Sequence, residues 1–250
     1  MRKPAELSSL RPVAKTKLKD RVPHDVALIR QEIRRFLSTK DENGRTPCNC
    51  RCGVYVFYDY DGEPIYVGQS EERLRTRIRR HLTNQRTDAV AMNVLDPFEV
   101  ADVEVYPLYE LESAQPRENK KALKERRKAI LGAAEYAVFQ RVLKASALGA
   151  VLNEKDIAKS RLEVKLPPPF RGRIIPDSLF EERKHADVRI ARRASTVAAL
   201  ARVISEREVS SGLRRTLVTQ AKRLERLAAQ RFAEIDTPPP VEKGGEETGS

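Results

Sequence analysis

The chain has 250 residues, enough for one globular domain with an appendage or for two small domains. Its formal net charge is +12 and 34% of its residues are charged, a balance that favours phosphate backbones or anionic surfaces as partners. No apolar run spans a bilayer, no apolar signal core follows Met1, and three cysteines between 48 and 52 make no disulfide framework, so a cytoplasmic protein is expected.

Residues 1–24 are polar and basic without periodicity and read as a flexible arm. From Asp25, an expected N-cap, the residues Val26, Ile29, Ile33 and Phe36 or Leu37 mark one face of a short helix. After a turn-rich stretch, Gly53-Val54-Tyr55-Val56-Phe57-Tyr58 predicts a strand. Asp61-Gly62 predicts a hairpin turn and Pro64-Ile65-Tyr66-Val67-Gly68 the returning strand. Ser70 is the expected cap of a helix that has Glu71 and Glu72 in its first turn and buries Leu74, Ile78 and Leu82. Val100 to Leu111 predicts a third strand broken by Pro107.

Pro116 suits the start of a long helix reaching about Lys144, basic from Arg117 to Lys128 and apolar beyond. Leu166-Pro167-Pro168-Pro169 marks a stiff linker over 166–176 and hence a boundary to a domain at 25–165. Two amphipathic helices, about 178–205 and 206–235, make a helical hairpin at 177–236, with a disordered tail over 237–250. The expected fold class is α+β: a small antiparallel sheet flanked by helices, followed by the C-terminal helical hairpin.

The first hairpin shows Gly53-Val54-Tyr55 on one strand and Tyr66-Val67-Gly68 on the next, with ten residues between the tyrosines. With the helix that follows and its Leu74-Arg75-Thr76-Arg77, this pattern resembles the GIY-YIG nuclease superfamily over roughly residues 50–155. The resemblance implies a divalent-metal-dependent endonuclease acting on DNA, with double-stranded DNA favoured and Mg²⁺ or Mn²⁺ as cofactor. It implies Tyr55, Tyr66 and Arg77 as catalytic residues, Glu135 as the one carboxylate holding the metal, and Asn153 as an orienting group. Gly53 and Gly68 are then the motif glycines, and the Arg77-x-x-x-His81 step resembles the restriction-endonuclease branch more than the excision-repair nucleases. Restriction, repair and mobile-element nucleases all use such a domain.

The residue types also make sense without the family. Phosphodiester cleavage needs an activated water, stabilised phosphoryl oxygens and help for the leaving oxygen. A tyrosine titrates near ~10, and a nearby cation favours its phenolate. Arg77 offers a permanently charged fork for two phosphate oxygens, and His81, one helical turn later on the same face, is a further catalytic candidate that could help activate the water. Glu135 falls inside an apolar stripe with Leu131, Val138 and Val142, where a carboxylate is costly unless it is matched by a cation.

Each of these residues has a plainer account. Strand tyrosines are commonly just packed, Arg77 lies among Arg73, Arg75, Arg79 and Arg80, and His81 could be an ordinary exposed histidine. Glu135 could pair with Arg141 or a neighbouring strand, and Asn153 could be a helix C-cap or a turn residue. Lys121, Lys124 and Lys128 share one face, either solvated or set against a DNA backbone. Cys48, Cys50 and Cys52 would face one way on a strand and could join a histidine around zinc, but buried free thiols are the simpler expectation. The arginines of the C-terminal pair favour DNA binding and its leucine stripe favours a homodimer. The competing functions are a catalytically silent DNA-binding module and a helical scaffold on the same fold.

Overall fold

The computed structural model describes residues 22–83, 94–112 and 120–236. Most of the expected arm, the expected tail, and Pro116 and Arg117 lie outside the described residues. The fold is α+β, with four antiparallel strands in the order β2-β1-β3-β4. These are β1 (Gly53–Tyr58), β2 (Pro64–Ser70), β3 (Asp102–Pro107) and β4 (Phe170–Arg173). The helices are α1 (His24–Ser38), α2 (Leu74–Leu82), α3 (Lys120–Ala145), α4 (Asp177–Lys184), α5 (Ala186–Glu206) and α6 (Ser211–Asp236).

Every residue of β1 is buried, because helices cover both faces of the sheet. Alternation of side chains along the strand divides them between two cores. Tyr55 and Phe57 pack with Ile33 and Phe36 of α1, Leu74 and Ile78 of α2, and Leu200, Val203 and Leu213 of α5 and α6. Val54, Val56 and Tyr58 face the other way, onto Leu131, Val138 and Val142 of α3. The strand β2 lies at one edge of the sheet and β4 at the other.

Several local expectations shift. Pro23 precedes α1, which leaves Asp25 in the first turn, where Arg183 pairs with it at 3.1 Å. Ser70 is the last residue of β2, opposite Gly53, rather than a helix cap. Its hydroxyl is used in a local turn, donating to the Glu72 carbonyl at 2.7 Å, and α2 begins at Leu74. Within the stretch read as a linker, Phe170–Arg173 forms β4, because Phe170 stacks on Phe36 and Arg171 covers the Tyr58 ring at 3.8 Å. A short α4 precedes the long helical pair α5 and α6, which are in contact along their length.

The cysteines do not align. Cys48 and Asn49 belong to a 3₁₀ turn (Pro47–Asn49), which breaks the strand periodicity that would set three sulfurs on one side. Cys48 and Cys50 enter the first core and Cys52 the second, all as free thiols. Burial pushes the Cys48 and Cys50 thiols up to about 12. Among the described residues no group of three or more Cys, His, Asp or Glu could hold a metal ion. No helix among them is long and apolar enough to cross a membrane.

Candidate active site

Tyr55 on β1 pairs with Gly68 on β2, and Phe57 pairs with Tyr66, so the two tyrosines are diagonal neighbours on one face of the hairpin. Their rings stack with centroids 6.1 Å apart. Gly68 is required by this contact: a Cβ there would lie 2.5 Å from the Tyr55 hydroxyl oxygen and 2.9 Å from the Tyr66 ring. Gly53 answers a different need, because a Cβ there would meet the Tyr106 carbonyl at 2.6 Å and Leu74 at 2.8 Å, holding α2 off the sheet. The motif glycines are therefore spaces that let two phenols and one helix close in.

The helix α2 buries Leu74, Ile78 and Leu82 and thereby presents Arg77 and His81 to the tyrosines. His81 is buried, with its Nε2 3.4 Å from the Tyr55 hydroxyl and its ring 5.3 Å from that of Tyr66. Arg77 is half-buried beside both phenols. Burial opposes its charge, yet Tyr55, Tyr66 and Glu72 together outweigh that cost and raise its pKa. Its Nε is buried with no hydrogen-bond partner among the described residues. Such a donor is costly unless an acceptor arrives, and a phosphate oxygen is a strong one.

Glu135 approaches from the opposite layer, on α3. Its neighbours Leu131 and Val138 are buried in the second core, while Glu135 itself is half-buried at the wall of a cleft. Burial alone pushes its carboxyl up to about 7. Arg141, the expected alternative partner, instead lies over the Tyr106 ring at 5.8 Å. A carboxylate with no hydrogen bond or ion pair among the described residues fits the need of a hard divalent cation, which takes oxygen ligands and keeps much of its water.

Asn153 imitates a strand residue along the exposed edge of β2. Its amide donates to the Val67 carbonyl at 2.7 Å and its carbonyl accepts from the Val67 N–H at 3.1 Å. The adjacent Leu152 N–H donates to Ile65 at 2.8 Å. Asn153 thus closes the edge beside Tyr66 and starts the irregular segment that forms one side of the cleft.

These groups line one cleft of about 740 Å³, which holds Tyr66, Arg77, His81, Glu135 and Asn153. Tyr55 stands behind it, fully buried, and reaches the cleft through Gly68 and His81. Of the three lysines singled out on α3, Lys128 lines the cleft, whereas Lys121 and Lys124 are exposed outside its lining. Sequence reasoning missed Lys155 and Lys159, which line the cleft from the irregular segment. No periodicity marks them, and only their distance of a few residues from Asn153 could have suggested them.

Residues 51–128 match the family model of the GIY-YIG catalytic domain, a domain of the nuclease type. No curated protein and no solved structure matches the chain. The match ends before Glu135 and Asn153, so their places beside the hairpin rest on geometry alone.

Proposed function

Because the chain carries a GIY-YIG catalytic domain over residues 51–128, we propose that it is a divalent-metal-dependent endonuclease hydrolysing DNA phosphodiester bonds. One observation carries this reading: Tyr66, Arg77, His81, Glu135 and Asn153, from four separate stretches of chain, line a single cleft. Arg77 lines that cleft and has a buried Nε without a partner among the described residues, and Glu135 adds a carboxyl unpaired among them.

In this reading the scissile phosphate sits against Arg77, whose guanidinium takes up the charge that grows on the phosphoryl oxygens. The attacking water gives its proton to Tyr66 as a phenolate or to His81 as a neutral imidazole, both of which line the cleft. Tyr55, buried and in contact with His81, orients the imidazole rather than touching substrate. As the water oxygen bonds to phosphorus, the bond to the leaving sugar oxygen breaks and that oxygen takes up a proton. A divalent cation held by Glu135 would polarise the phosphoryl group and ease charge on the leaving oxygen. Lys128, Lys155 and Lys159 would hold the flanking backbone.

Supercoiled and linear duplex DNA incubated with Mg²⁺, with and without chelator, tests this. The wild-type chain should cut, and Arg77→Ala and Glu135→Ala should each lose on the order of 10²-fold or more in rate. Glu135→Ala should still retard DNA in a gel. Discrete fragments would favour the restriction-like branch and dispersed nicks a repair-like one. A variant that cuts at the wild-type rate would remove its residue from the site.

A further inference from the structure

The hairpin that carries the tyrosines is closed by Asp59, which is 3% exposed. One of its oxygens accepts from the backbone N–H of Asp61 at 2.9 Å and of Glu63 at 3.0 Å, holding the turn. The other accepts from Arg193 at 3.0 Å and Arg223 at 2.7 Å, with Arg189 at 3.3 Å. These arginines come from α5 and α6 and are buried. Glu99 pairs with Arg193 at 2.9 Å and Asp61 with Arg189 at 2.8 Å, so three guanidinium groups meet three carboxylates.

A buried ion cluster is weak evidence for stability, because apolar side chains of equal volume often hold two elements as well or better. What it adds is direction, since each guanidinium fork fixes its partner's orientation. Here the partner is the turn of the tyrosine hairpin. The same helix α6 meets the cleft at two further places. Gln220 donates to the carbonyl of Val94, a cleft-lining residue, at 2.9 Å. Gly212 presses on the backbone of Glu154, next to Asn153: a Cβ there would lie 1.8 Å from the Glu154 carbonyl oxygen. Arg215 pairs with Asp156 in that segment at 2.8 Å.

We infer that Asp59 and Gln220 are positioning residues, through which α5 and α6 hold the tyrosine hairpin and the Val94 wall in register around the cleft. The effect on turnover rests on the nuclease reading; the effect on geometry does not.

The test uses the full chain. Asp59→Asn keeps an acceptor for the turn but removes the charge, and Gln220→Met removes the donor to Val94 while keeping an apolar stem of similar length. Arg202→Ala, which breaks an exposed pair with Glu206, is the control. The chain has three histidines, so its imidazole carbon–proton spectrum is simple. His81 is buried among aromatic rings, whereas His24 and His185 are exposed.

Variants that still melt cooperatively should move or split the His81 signal. They should also lower the single-turnover cleavage rate roughly 10- to 100-fold with DNA affinity unchanged. The control should do neither. Folded Asp59→Asn and Gln220→Met chains with the wild-type His81 signal would overturn the inference. If Asp59→Asn does not fold, Gln220→Met decides alone. If the wild-type chain cuts nothing, the nuclease reading fails while the His81 signal still decides this one.

Discussion

Among single residues, Glu135 combines burial, an open cleft at its side and no charged partner among the described residues, and its proton is held to about pH 7 in place of the ordinary 4.5. The sign of the consequence follows from proton counting. Between pH 4.5 and about 7 the folded chain binds more protons at this group than the unfolded chain does. The Glu135 contribution to stability therefore falls as pH rises through that window and stays low above it. Glu135→Gln, neutral at every pH, should gain in melting temperature over the wild type at pH 8 and gain less at pH 5. Mg²⁺ should raise the wild-type melting temperature at pH 8 and leave that of the glutamine variant unmoved, since a cation favours the ionised carboxylate. Equal melting temperatures for the two chains at pH 5 and at pH 8 would mean that Glu135 is solvated rather than buried.

Among elements, the C-terminal pair is built into the catalytic domain. Leu200, Val203 and Leu213 share a core with Tyr55 and Phe57, and Arg189, Arg193 and Arg223 neutralise Asp59 and Glu99. A chain ending at residue 176 would expose that core face to water and remove all three arginines that pair with Asp59 and Glu99. Such a chain should show no cooperative thermal transition by circular dichroism. A sharp melt would make the pair a separable module.

The same elements show where the sequence was legible. The strand β1 and the Leu74–Ile78–Leu82 stripe could be read because their periodicity is local and each face has one environment. The strand β4 could not, because Phe170-Arg171-Gly172-Arg173 is a strand only through Phe36 and Asp102, which are far away in sequence. The arginines of α5 and α6 read as favouring DNA binding for the same reason. Their counterions, Asp59 and Glu99, lie more than one domain element away, and nothing in the helices themselves announces them. In the candidate site, the tyrosines, Arg77 and His81 followed from a compact motif. Glu135 stood out as an acid in an apolar stripe, whereas Lys155 and Lys159 carry no pattern at all.

At the scale of the whole molecule, the net charge of +12 biases the protein towards polyanions wherever they meet it, and that bias carries no sequence information. What would separate a nuclease from a merely basic protein is convergence: α2 brings Arg77, and α3 brings Glu135 and Lys128, to one cleft beside β2. If Arg77 and Glu135 act on one phosphate, their losses cannot be independent. The decisive measurement is the single-turnover rate of DNA cleavage with Mg²⁺ for the wild type, Arg77→Ala, Glu135→Ala and the double variant. The double variant should be no slower than the slower of the two single ones. Losses that multiply as they would for two separate sites, or a Glu135→Ala chain that cuts like the wild type, would contradict a shared centre.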